Sequence, residues 1–312
     1  MAVFMTAIFV SVPVLAQQSK EAYELVEGMI DASKTLNYSG LVTYEKAGRL
    51  KTSKILHLIR EDGTFEKLTH LDGPAGQFSW RRTSGDCELD TTQDKKADLL
   101  STLTSSGFER LKASYTLEIR GQSRVAGREA TTLLLKPKDS FRLPYFVAID
   151  NQSNLMLMSV ILSLAGKPLE RFQFVEIEVG GDLDSMTVGD AELNAEVSCD
   201  AGSKPQPLGD WTVGWVPPGF LLTDSEKEPI IGESILSFSD GLSAFTVFIE
   251  SVRMSKKIPP FTFSQGATAA VSAKLKNEED EFTVSVVGEI PADAAKKIAQ
   301  SVSHTSKLRN LP

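Results

Sequence analysis

The chain has 312 residues, of which 41% are hydrophobic and 24% charged, and its net charge is -8 at pH 7. That length gives a prior of about two domains, and the composition excludes collagen-like, coiled-coil and extensively disordered classes. The acidic balance argues against nucleic acid, whose binding rests on Lys and Arg neutralising phosphates. Two cysteines cannot make a zinc site by themselves, and three histidines leave little room for metal or His-based chemistry.

Residues 1–16, MAVFMTAIFVSVPVLA, are uncharged and mostly apolar. They fall short of the roughly 20 apolar residues a spanning helix needs. Val14-Leu15-Ala16 fits the end of a cleaved export signal, with the mature chain starting at Gln17. A retained anchor or a buried helix is the other reading. Export would place Cys87 and Cys199 in an oxidising compartment. There they either pair, closing a long loop, or stay as free thiols.

Residues 19–36 carry Ala22, Leu25, Val26, Met29 and Leu36 at helical spacing, with Ser19 as N-cap. The period then changes to two. Strands are predicted at 40–45, 54–60, 64–69 and 77–83, with Asp62-Gly63 as a hairpin signal. A short helix is predicted near 95–104. Strands resume at 114–120, 130–136, 145–150, 155–164 and 169–179. In the last of these, LERFQFVEIEV, the pattern shifts at Val175 as a bulge would make it. Short turns between successive strands predict an antiparallel sheet. With one long helix in front, the expectation is an α+β domain over 17–180: a strongly curved antiparallel sheet around that helix.

Residues 181–210 are rich in Gly, Asp, Ser and Pro and read as a linker. A second domain over 211–312 then has strands at 234–239, 243–252, 268–276 and 281–287. Asp240-Gly241 turns the first pair. A final helix opens at Pro291, with Ala294, Ala295, Ile298 and Val302 as its apolar stripe, and His304 is placed at its end.

Enzyme motifs are absent: there is no G-x-S-x-G, H-E-x-x-H, phosphate-binding glycine loop or C-x-x-C. His57 reads as a strand residue hydrogen-bonded to a neighbour, and Glu176 and Glu178 as a solvated face. Neither a catalytic residue, a metal site nor a cofactor is expected. Three groups are candidates for binding. Trp80, Arg81 and Arg82 combine an anchor with forks that match carboxylate or phosphate, or else form a solvated strand end. Trp211, Trp215, Pro217, Pro218 and Phe220 either close a groove between the domains or cap the second core. Leu155, Met156, Leu157 and Met158, with Phe172 and Phe174, either line an acyl-chain pocket or are ordinary core.

Five segments together resemble the RseB/MucB family. They are Leu36-Asn37-Tyr38-Ser39-Gly40, Leu71-Asp72-Gly73-Pro74, Trp215-Val216-Pro217-Pro218-Gly219-Phe220, Phe238-Ser239-Asp240-Gly241 and Val287-Gly288-Glu289-Ile290-Pro291. Each is weak alone; their order and spacing span nearly the whole mature chain. The resemblance implies a periplasmic negative regulator of the sigma-E (AlgU) envelope-stress response. It also implies a LolA/LolB-like half-barrel as the first domain, with a smaller second domain. The implied partners are the periplasmic part of a membrane-spanning, RseA/MucA-like anti-sigma factor, and lipopolysaccharide or lipoprotein acyl chains. Binding would shield the anti-sigma factor from proteolysis, and the lipid would cause release. The peptide is expected against Trp215, Phe220 and the Ser239-Asp240-Gly241 hairpin, and the lipid inside the first sheet. A bare lipid or lipoprotein carrier is the alternative, and a homo-oligomer remains open.

Overall fold

The computed structural model describes residues 12–61, 63–74, 78–84, 87–90, 105–185, 211–228, 233–252, 259–276 and 281–304. The helix predicted near 95–104 lies outside the described residues, as do Cys199 and hence the disulfide question.

The first half opens with helix α1 (Val12–Thr35), followed by β1 (Tyr38–Lys46), β2 (Arg49–Arg60), β3 (Gly63–His70), β4 (Phe78–Ser84) and β5 (Cys87–Asp90). Helix α2 (Ser105–Ser114) leads into β6 (Tyr115–Val125), β7 (Arg128–Pro137), β8 (Tyr145–Asp150), β9 (Met156–Leu162) and β10 (Pro168–Val179). These strands form one sheet in the order β5-β4-β3-β2-β1-β10-β9-β8-β7-β6, and every pairing is antiparallel. The chain thus starts in the middle of the sheet, builds one wing outward, and returns through the other to close against β1. Val175 is skipped in the β1–β10 ladder: Leu41 pairs with Glu176 but Val42 with Phe174. That is the bulge the sequence pattern predicts.

Period-two alternation gives the sheet two apolar faces. Leu133, Leu135, Tyr145, Val147 and Ile149 face Ala22, Val26, Met29 and Ile30 of α1. Ala130, Ala148, Met158, Val160 and Phe174 gather with Val42 and Ile55 on the opposite face. Each buried aliphatic side chain contributes about 1.5–3 kcal/mol. The sheet is curled. Cα atoms of β6 and β10 approach within 8 Å although three strands lie between them. In a flat sheet four strand spacings would separate them by about 19 Å.

The second half contains β11 (Trp211–Val213), β12 (Leu221–Glu228), β13 (Glu233–Ser239), β14 (Ala244–Ser251), β15 (Thr262–Gln265), β16 (Thr268–Lys276), β17 (Glu281–Gly288), helix α3 (Ala292–Ser301) and β18 (Val302–His304). Six strands form a sheet in the order β12-β13-β14-β17-β16-β15. Ala294, Ala295, Ile298 and Ala299 of α3 are buried, and they pack on Leu236, Val247, Val271, Val284 and Val286. His304 corrects its expected place. It does not end a helix but lies in β18, paired with Trp211 of β11, their rings 4.6 Å apart. Val302 has left the helix because its extended backbone begins that strand. His57 is a buried strand residue, and its Nδ1 lies 2.7 Å from Glu66 Oε1 across the β2–β3 ladder.

Candidate functional site

The densest polar chemistry lies where the two halves meet. From the first half comes the segment between β7 and β8, carrying Asp139, Phe141 and Arg142. From the second come the β13–β14 turn, Asp240 to Ser243, and the segment from Trp215 to Phe220.

Arg142 is fully buried. Its Nε donates to Asp240 Oδ2 at 2.6 Å, and its terminal nitrogens donate to Asp139 Oδ2 and to the Pro218 carbonyl. Its guanidinium carbon also sits 4.8 Å from the centre of the Phe220 ring. The other Asp240 oxygen, Oδ1, accepts from the Leu242 and Ser243 amides at 3.0 and 2.8 Å. Both charges are therefore paired and hydrogen-bonded, the condition under which a buried ion pair is tolerated. Gly241 has φ +96°, and a Cβ there would lie 2.8 Å from Gly107 Cα of α2. The turn docks on the helix because neither residue has a side chain.

Beside this pair, the Tyr145 hydroxyl lies 3.1 Å from Ser243 Oγ, which also donates to the Glu289 carbonyl at 3.2 Å. Tyr115 packs edge-on to Tyr145 at 6.4 Å. Burial first, then the carboxylates of Asp240 for Tyr115 and of Glu289 for Tyr145, push both phenols well above their ordinary value. Both rings stay neutral.

Two further contacts fix the orientation. Glu170 of β10 is buried; its Oε1 accepts from the Ala267 amide at 2.9 Å and meets Lys46 Nζ at 3.0 Å. Tyr44 donates to its other oxygen, and Lys46 also reaches Thr268 Oγ1 at 2.9 Å. On the other side, Phe141 packs edge-on to Trp215 at 4.9 Å. Lys297 Nζ stands 3.9 Å from the Trp215 ring centre and 5.1 Å from that of Phe141. The packing is shared as well: Leu242 and Ala267 belong to the core of the first half, and Phe141 packs on that of the second.

The structure brings Trp215, Pro217, Phe220, Ser239, Asp240 and Gly241 together at this junction. Pro217, Phe220, Asp240 and Gly241 are buried in it, and Trp215 is half-buried. Phe220 and Trp211 also belong to the second core. Trp80, Arg81 and Arg82 lie elsewhere, on β4, separated from β8 by five strands in the sheet order; their side chains lie outside what the structure describes. The acyl-chain candidates divide between faces. Met156 joins the α1 side, while Leu157, Met158 and Phe174 join the other. Phe172 touches both and meets Phe174 edge-on at 5.5 Å. Leu155 is buried at the turn before β9.

Sequence reasoning missed Arg142, Tyr145, Glu170, Lys46 and Lys297. Arg142 stands in a polar segment, KPKDSFRLP, where nothing local separates a buried guanidinium from a solvated one. Among the described residues there is no cluster of His, Cys, Asp and Glu suited to a metal. No described helix is long and apolar enough to cross a membrane.

Comparison with known proteins agrees with this two-part build. The MucB/RseB N-terminal domain family matches residues 21–193, and the MucB/RseB C-terminal domain family matches residues 205–303. The sigma factor AlgU regulatory protein MucB of Pseudomonas aeruginosa is 30% identical over 297 residues, 92% of each chain. The sigma-E factor regulatory protein RseB of Haemophilus influenzae is 28% identical over 301 residues, 93% of each chain. Among solved structures, the P. aeruginosa MucA/MucB complex superposes with a TM-score of 0.74 at 27% identity, covering 92% of this chain and 99% of that one. A crystal structure of MucB in complex with MucA(peri) gives 0.71 at 28%, covering 91% and 99%. With both domain families matched in order along nearly its whole length, the chain belongs to the MucB/RseB family of sigma-E and AlgU regulatory proteins, a regulatory and not an enzymatic family.

Proposed function

We propose that this protein acts in the periplasm, where it binds the periplasmic part of a membrane-spanning anti-sigma factor and shields it from regulated proteolysis. Lipopolysaccharide or a mislocalised lipoprotein releases it. The observation that carries this reading is the near full-length likeness to MucB, which has been solved in complex with MucA(peri). Residues 1–16 serve as its export signal.

The first half, in this reading, is a LolA/LolB-like half-barrel that receives acyl chains. The curl that brings β6 near β10 supports it. Met158, Phe172 and Phe174 are the residues an acyl chain would meet, and their core packing must open to admit it. The buried turn at Asp240 and the Phe220 ring act by fixing the two halves in one orientation. Lipid and anti-sigma factor favour different orientations, so each weakens the other by the same factor.

The test is calorimetric titration of the mature chain with the periplasmic part of the host's anti-sigma factor, with and without lipopolysaccharide. Binding that lipopolysaccharide weakens is the expected result. Lipid uptake without peptide binding overturns the regulator reading and leaves the carrier.

A further inference from the structure

Strand β15 is the open edge of the six-stranded sheet: among the described residues it pairs with β16 alone. All four of its residues, Thr262 to Gln265, are exposed, and they carry neither charge nor proline. Natural edges are usually blunted by one of those devices or by a covering element. This one shows Phe263 56% exposed and, just before the strand, Phe261 38% exposed.

Register identifies which main-chain groups face away from β16. The Ser272 amide donates to the Phe261 carbonyl at 2.9 Å. Alternation along an antiparallel ladder then turns the main-chain groups of Phe263 and Gln265 toward β16 and those of Thr262 and Ser264 outward. Behind this edge a cleft runs between β15–β16 and α3, lined by Thr262, Val271, Ser272, Lys274, Lys296 and Gln300. Ser272 Oγ is buried there without a hydrogen-bond partner. Lys274 already meets Glu281 at 3.4 Å; Lys296 is exposed on α3.

We infer that β15 is the docking edge for the anti-sigma factor's periplasmic part, which adds to the sheet as an extended strand. This rests on the function proposed above. Outward amides that have no partner among the described residues call for a polypeptide backbone, which an acyl chain cannot supply. The flanking chemistry specifies the guest: an apolar side chain over Phe263 on one face, and a carboxylate toward Lys296 on the other. The turn after β15 is also the segment that Glu170 and Lys46 hold, through Ala267 and Thr268. A strand bound here continues directly onto the junction, so its affinity depends on how the halves are oriented.

The test is hydrogen exchange on the full chain with and without the periplasmic part of the host's anti-sigma factor, together with titration of variants. Slowed exchange at Thr262 and Ser264 on binding is expected. Ser264→Pro removes an outward amide and leaves the β16 ladder intact; it should weaken binding at least tenfold, with Ser264→Ala near wild type and Lys296→Glu between them. Wild-type binding with unchanged exchange at β15 overturns this site and leaves the function standing. Absence of any wild-type binding overturns the function and the site with it. If Ser264→Pro fails to fold, the exchange measurement on the wild-type chain decides alone.

Discussion

Arg142 and Asp240, 98 residues apart, form a fully buried ion pair that joins the two halves, with Nε 2.6 Å from Oδ2. Removing one partner of such a pair costs about 3–5 kcal/mol, because the other charge stays buried. Arg142→Met is therefore expected to lose that much in urea unfolding. Asp240→Asn should lose less, since its amide oxygen still accepts from Leu242 and Ser243. An Arg142→Met variant as stable as wild type would remove the pair from the docking energetics.

Gly241 and Gly48 allow a controlled comparison. Both have positive φ, +96° and +75°, but only Gly241 has a backbone within reach of an added Cβ. Gly48→Ala should cost only the left-handed penalty of about 1–2 kcal/mol. Gly241→Ala should cost clearly more, since α2 must move. Equal thermal shifts for the two variants would contradict the close approach to Gly107.

Lys297 stands over the rings of Trp215 and Phe141, one from each half, which pack edge-on against each other. A cation in that position contributes about 0.5–2 kcal/mol, and Lys297→Met keeps the chain's length while removing the charge. The expected result is a loss in that range together with a change in Trp215 emission. Unaltered emission would mean that the ammonium does not sit on the indole in solution.

Asp150 is buried and bound by Arg128 through two contacts, at 3.1 and 2.8 Å. Burial pushes its carboxyl up, but the bonds from Arg128 and Ser153 outweigh that and hold it below its ordinary value. A depressed carboxylate adds stability that is present above the unfolded value and lost as pH falls through the folded one. Arg128→Gln should therefore be less stable than wild type at pH 7, the two converging as acid protonates Asp150. A gap that stays constant with pH would rule out this linkage.

Much of the sheet was legible because period-two patterning survives wherever one face is buried. The bulge at Val175 shows it: Phe172 and Phe174 keep one parity, and the pattern breaks where the ladder skips a residue. Helix α2 was not legible, since Ser105, Ser106 and Gly107 are poor helix formers. Gly107 is there for the turn at Gly241, a contact 134 positions along the chain that no local window holds. The junction was legible by half. Its aromatic residues and the Asp240-Gly241 turn stood out, but Arg142 and Glu170 did not. Their burial is decided by the partner surface, and local composition carries no trace of it.

The ion pair also leaves the first half unfinished on its own. Without the second half it holds a guanidinium that lacks one of its two counter-charges, and an apolar floor that lacks Leu242 and Ala267. Its surface is finished only by the half that follows, so a chain truncated before the second sheet should be a ready target for chaperones and proteases.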